Sequence, residues 1–491
     1  MLFNSFEFAL FFPIVTILFF LLPHRYRWLL LLLASCFFYM FFKPVYIFIL
    51  IFTILIDYFA AILIARQVEK KKRKLLLLIS IIANVGILVV FKYYNFLATN
   101  LQIVMESVHK TGHIPLLNML LPIGLSFHTF QAMSYTIEVY RGKQVPEKHL
   151  GIYALYVMFY PQLVAGPIER PQNILHQFHE PKSFNYENMR SGLILMAWGL
   201  FKKVVIADRL ALFVNHVYGQ PLQYKGLPLI ISSVFFAFQI YCDFSGYSDI
   251  AIGSARCMGY ELMQNFNKPY MSTSISEFWQ RWHISLSTWF RDYVYIPLGG
   301  NRLGAARWCL NIMIVFLISG IWHGANWTFL IWGLLNGVYL LIEHFLKKLV
   351  PQETRKPNTN NMLLTMFHRI KVFLLITLAW VFFRAENLSQ ALYIIKHMFV
   401  GLPEQIRQIF YNENFARLKL LYLHNKPGSF VIALLLLALL MTVHHRQKTK
   451  EFSEWLTAKP TYVRWTAYYV LVLSFVTLGV FNNSEFIYFK F

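Results

Sequence analysis

The chain has 491 residues, of which 57% are hydrophobic, 18% aromatic and only 14% charged. Soluble domains carry roughly 25% charged residues, so this composition excludes a soluble globular protein and predicts a polytopic membrane protein. The net charge of +22, from 45 Lys and Arg against 23 Asp and Glu, would suggest nucleic acid in a soluble chain. In a membrane protein, basic residues instead collect in cytoplasmic loops and beside anionic lipid, and a share could serve an anionic cytoplasmic substrate.

Apolar runs of about 20 residues recur along the whole length. They predict spans over 6–22, 27–42, 45–65, 75–97, 117–138, 150–166, 190–214, 227–260, 308–322, 327–346, 362–383, 430–444 and 466–482. The first run begins near Phe6 without a basic leader and reads as a retained helix. The 66–74 run holds six basic residues against Glu69. Placing it inside also places Arg25 and Arg27 inside, and puts the N-terminus on the extracytoplasmic side. Further on the ladder is interrupted by Pro161, Gly166, Pro167 and Pro171, and residues 238–260 carry Gln239, Asp243, Ser245, Ser248 and Asp249. Helix breaks and carboxylates are tolerated at membrane depth where they face protein or water rather than lipid. The expected fold is therefore all-α, on the order of ten to thirteen helices with re-entrant pieces around a central cavity. Residues 1–491 are read as a single domain, with supporting helices at 1–115 and 347–491 and a catalytic core at 118–346. The cysteines Cys36, Cys242, Cys257 and Cys309 lie in or beside apolar runs without metal-ligand spacing and read as packing residues.

Two segments could carry chemistry. In the first, 319–327 (SGIWHGANW), His323 stands between glycines inside an apolar stretch. An ionisable group there is a functional candidate by default. A helix over 309–322 would be about 21 Å long, short of the roughly 30 Å of hydrocarbon, and would leave His323 within the membrane. Gly320 and Gly324, one turn apart, permit either close helix packing or approach of a substrate, and Asn326 supplies an amide. Alone, this histidine reads more readily as a packing residue.

The second segment is 274–287 (SISEFWQRWHISLS). Ser274 and Glu277 form a capping-box pattern, and the helix is expected to continue through His283, with Trp279, Trp282 and Leu286 on one stripe and Ser287 four residues beyond the histidine. Charges interrupt it too often for a lipid-facing span. Two histidines on cavity-lining elements suit acyl transfer: one imidazole acts as base on a hydroxyl while the other orients the substrate or stabilises developing charge. The bland alternative is an interfacial aromatic helix. Asp243 and Asp249, six apart, fall on different helix faces and suggest a structural ion pair with Arg256, Arg281 or Arg291. No P-loop, dinucleotide fingerprint, HExxH or Gly-x-Ser-x-Gly elbow occurs, and no metal site is expected.

These residues also carry a resemblance. The runs 121–131 (LPIGLSFHTFQ), 161–168 (PQLVAGPI), 243–249, 278–287, 289–292 (WFRD), 296–302 (IPLGGNR) and 319–326 resemble the membrane-bound O-acyltransferases, in their bacterial alginate O-acetyltransferase-like branch. The resemblance implies His323 as catalytic base and His283 as its partner; Asn326, Trp279, Trp282 and Ser287, which neighbour them in sequence, are the substrate-side candidates. It implies acetyl-CoA as donor substrate with no bound cofactor, an exported polysaccharide as acceptor, a periplasmic partner of the SGNH-hydrolase type, and residence in the bacterial cytoplasmic membrane. Because CoA is a polyanion, Lys202, Lys203 and Arg209 are candidates for a basic donor mouth, alongside an equal reading as ordinary positive-inside residues. His128 departs from the Tyr that relatives tend to carry. The nearest rival is D-alanyl transfer to teichoic acid from a carrier protein; 296–302 and the closing 486–491 lean toward the alginate-like branch. A proton-coupled transporter is the rival from another class.

Overall fold

The computed structural model describes residues 1–491 except 111, 120, 350–360, 412–421, 424, 482–485 and 488–491; most of the closing 486–491 run therefore lies outside the described residues. Among the described residues every regular element is a helix, as the composition and periodicity predict. Seven helical stretches are long and apolar enough to cross a membrane: Pro44–Arg66, Lys70–Ser107, Leu227–Cys257, Ala305–His323, Trp327–Leu349, Met362–Arg384 and Pro427–Gln447. The chain is a multi-pass membrane protein, since helices satisfy their own backbone groups where no water is available.

Other expected spans take a different form. The 117–138 run becomes helical only at Leu125, because Gly124 adopts a left-handed φ of 75° and starts the helix there. A Cβ at that position would sit 2.8 Å from the Leu163 carbonyl oxygen, so the tight passage requires glycine. The 150–166 run divides into Leu150–Met158 and the short Tyr160–Leu163. The 190–214 run is helical throughout but widens into a π-helix at Phe201–Ala207.

The helices group into two compact units. The first comprises Met1–Ala197 with Tyr247–Gln264, and the second Trp198–Gly246 with Asn265–Ile487. Inside the first, Ile47–Arg66, Lys70–Leu88 and Leu125–Tyr140 are tied by a buried polar cluster. Asp57 accepts from Ser80 Oγ at 2.5 Å and from Asn84 Nδ2 at 2.9 Å, and Ser80 also reaches Thr136 at 3.0 Å. Such contacts replace the hydrophobic drive that lipid cannot supply between helices. The same unit gathers its basic loops. Arg27 donates to the Lys182 carbonyl, His179 meets Glu147 at 2.7 Å, and Arg73 donates to the Tyr140 carbonyl at 2.8 Å. His128 also belongs to this unit, buried, with neither ring nitrogen hydrogen-bonded among the described residues.

In the second unit, Ala305–His323 and Trp327–Leu349 form an antiparallel hairpin whose backbones touch. A Cβ on Gly333 would collide with the Phe316 carbonyl, and one on Gly320 with the Phe329 carbonyl. Of the two uses open to Gly320, close helix packing is the one realised. Overpacking such a seam costs about 1–3 kcal/mol or more. Gly333→Leu is therefore expected to lower the thermal melting temperature of the detergent-solubilised protein; an unchanged melt would show that the seam carries no stability.

Candidate active site

Ser274 caps Ile275–Arg281 by accepting the Glu277 amide at 3.1 Å, as its position predicts. The helix then stops, which corrects the expectation of one continuous helix through His283. Trp282 is extended, and His283 takes a left-handed conformation (φ 43°, ψ 56°) before a second helix, Ile284–Phe290, begins. A non-glycine residue there is strained by about 1–3 kcal/mol and persists only where its surroundings over-determine it. Asn265 supplies that determination. Its carbonyl accepts the Ile284 amide at 2.9 Å, and its Oδ1 accepts from the Ser285 amide at 3.3 Å and Ser285 Oγ at 2.9 Å. The same Oδ1 lies 3.0 Å from His283 Nδ1. Sequence reasoning passed over Asn265; its only signal is an Asn-Phe-Asn run shortly before Pro269 and the capped helix.

The break sends the two tryptophans to different neighbours, Trp279 to the hairpin and Trp282 away from it. Trp279 packs edge-on to Phe316 and Trp332, at 5.3 and 5.8 Å between ring centres. Trp282 meets Phe266 at 5.1 Å and Trp380 at 4.9 Å. Ser287 closes the turn, its amide donating to the His283 carbonyl at 2.9 Å and its hydroxyl to the Trp282 carbonyl at 3.3 Å.

His323 is the last residue of Ala305–His323, a helix of 19 residues. At 1.5 Å per residue it is about 28 Å long, close to the hydrocarbon thickness. The helix begins at Ala305 instead of 309, so its length does not strand His323 at mid-membrane. Packing is what removes the ring from solvent, leaving it 4% exposed. The rings of Trp322, Trp332 and Phe383 stand edge-on to it at 4.9, 4.9 and 5.2 Å. Asn326, expected as a substrate amide, is engaged by backbone: Nδ2 donates to the Glu386 carbonyl at 2.8 Å, and Oδ1 accepts the Thr328 amide at 3.1 Å, capping the returning helix.

Trp322 brings the two histidines into one site. Its ring lies 6.1 Å from that of His283 and 4.9 Å from that of His323. His283 is also walled by Phe244 at 4.7 Å and is 1% exposed; burial lowers its pKa and keeps the imidazole neutral. Two buried imidazoles thus flank one indole among packed aromatic rings.

The model of the membrane-bound O-acyltransferase family matches residues 148–383, a stretch that contains both histidines. Residues 148–383 belong to this family. It is 39% identical over 355 residues to the peptidoglycan O-acetyltransferase of Helicobacter pylori, covering 66% of this chain and 64% of that one. It is 38% identical over 360 residues to the probable alginate O-acetylase of Pseudomonas aeruginosa, covering 73% and 65%. The teichoic acid D-alanyltransferase of Streptococcus thermophilus is 30% identical over 272 residues, covering 52% and 63%. The matched stretch thus spans just under two thirds of these relatives' own lengths.

The expected donor-mouth residues are buried and engaged by neighbouring groups. Lys203 is buried and paired with Asp208 at 2.8 Å and Asp243 at 2.6 Å. Asp243 is thus a structural ion-pair residue, as expected, with Lys203 as a partner in place of the arginines. Lys202 is buried and donates to Ser245 at 3.0 Å. Arg209 donates to the Leu478 carbonyl at 2.6 Å and to Ser429 at 3.2 Å. Removing one member of a buried ion pair leaves an uncompensated charge and costs about 3–5 kcal/mol. Lys203→Met is expected to lower the melting temperature sharply; an intact melt with a raised donor KM would restore the mouth assignment.

Proposed function

We propose that this protein is an O-acyltransferase that passes an acetyl group from a cytoplasmic donor, acetyl-CoA, to hydroxyls of an exported cell-envelope polysaccharide. The observation that supports the reading is the placement of His283 and His323 on either side of Trp322 in a buried aromatic cluster. In the proposed step the acceptor oxygen attacks the thioester carbonyl carbon as His323 takes the hydroxyl proton. The C–S bond then breaks, and the leaving sulfur recovers that proton as a thiol. His283 positions the acyl group or polarises the carbonyl; where an SGNH-type periplasmic partner takes part, its hydroxyl is the acceptor in this step and it then passes the acetyl group to the polymer. Trp279 and Trp282 line the substrate space.

Acetyl is favoured over D-alanyl because identity to the two O-acetyl-transferring relatives, 38–39%, exceeds the 30% to the D-alanyltransferase. The reading places the enzyme in the bacterial cytoplasmic membrane with its N-terminus outside. The excess of basic residues at Arg25, Arg27 and 66–74 supports that orientation.

General-base catalysis contributes about 10²–10⁴-fold, so His323→Ala is expected to remove acetyl groups from the envelope glycan while the protein still folds and inserts. Mass spectrometry of envelope glycans from cells carrying the variant reads this directly. Full acetylation there would eliminate His323 as the base.

A further inference from the structure

The hydrogen bonds at Asn265 determine where the proton of His283 resides. A backbone N–H can only donate, so the side-chain atom of Asn265 that faces the Ser285 amide, at 3.3 Å, is the oxygen and not the amide nitrogen. The Ser285 hydroxyl reaches the same atom at 2.9 Å. The backbone contact, and not the hydroxyl, which could donate or accept, removes the usual ambiguity in the orientation of an asparagine amide. An amide oxygen has no hydrogen to give, so its 3.0 Å contact with His283 Nδ1 is a hydrogen bond only when Nδ1 carries the proton. A neutral imidazole has a single N–H, and its lone pair then lies on Nε2.

We infer that Asn265 is a positioning residue that locks His283 in its Nδ1–H tautomer, so that His283 meets the substrate only as a hydrogen-bond acceptor through Nε2. This rests on the acyl-transfer reading and narrows it. A lone pair cannot donate to a thioester carbonyl, so His283 does not polarise the carbonyl; it holds an O–H or N–H of a substrate. Two groups offer that chemistry: a hydroxyl of the acceptor sugar, and an amide N–H of the donor's pantetheine arm.

Asn265→Asp keeps an oxygen acceptor in the same place, and Asn265→Leu keeps the shape without one. With ¹⁵N-histidine labelling, the His283 resonances are assigned by their loss in His283→Gln. The native protein is expected to show a protonated Nδ1 and an unprotonated Nε2. Asn265→Asp should retain that pattern and activity of the same order, whereas Asn265→Leu should lose the single tautomer and about 10–100-fold in kcat/KM, the usual effect of removing a group that orients a functional histidine. A loss confined to kcat places the acceptor hydroxyl at Nε2, and a raised donor KM places the pantetheine amide there. A protonated Nε2 in the native protein, or full activity in Asn265→Leu, overturns the inference. The tautomer is read without turnover. A protein with the Nδ1–H form that moves no acetyl group would therefore overturn the acyl-transfer reading alone.

Discussion

The site depends on a helix cap supplied from outside the helix. His283 occupies the N-cap position of Ile284–Phe290 but makes no capping bond with its side chain. The first amides of any helix lack intrahelical partners, and leaving such groups unpaired when buried costs about 1–3 kcal/mol each. Here Asn265 takes the Ile284 amide on its carbonyl and the Ser285 amide on its Oδ1. Those bonds offset the strain of the left-handed residue, and they release the histidine from the duty that Ser, Thr, Asn or Asp usually performs at that position. The imidazole is left oriented by the same atom that holds the backbone beneath it.

His323 is held by the opposite means. It stands at the C-terminal end of a helix, and its position follows from how closely Ala305–His323 can approach Trp327–Leu349. Gly320 and Gly333 set that approach. Trp332 on the returning helix and Phe383 at the end of Met362–Arg384 then close on the ring. One histidine is thus fixed by a polar clamp and the other by an apolar seam. Substitutions at the seam act through helix spacing, while substitutions at the clamp act through ring chemistry. Side chains locked by such packing and by hydrogen bonds to a second layer of residues satisfy what a productive geometry needs.

What the sequence discloses and what it conceals divide along physical lines. The hairpin around His323 is legible because long apolar runs, glycines and an intervening polar turn are local signals, and the Ser274 cap is legible because its partner lies three residues away. The break at His283 is not, because Trp279, Trp282 and Leu286 keep helical spacing and the group that breaks the helix lies 18 residues upstream. Asn326 shows a further ambiguity: an asparagine between two helices suits a substrate or a cap, and only the Glu386 carbonyl, 60 residues on, decides its partner. Lys203 misleads for the same reason. A lysine in an amphipathic stretch looks like a loop cation until Asp243, 40 residues later, is brought against it.

The burial of Lys203 alters how the excess positive charge of the chain is understood. A cation between two carboxylates adds no positive long-range field, because the single charge of Lys203 is outweighed by those of Asp208 and Asp243. Lys70, Lys71, Lys72 and Lys74 are exposed and crowded on one run, with only Glu69 bound to one of them, at 3.1 Å from Lys72. Exposed charges act over about 8 Å at physiological ionic strength. Attraction of anions would therefore arise at such exposed helix starts and be sensitive to salt, while the Lys203 triad holds its own elements together. In this chain, the lysines whose charge reaches solvent and the lysine whose charge is spent on packing are different residues.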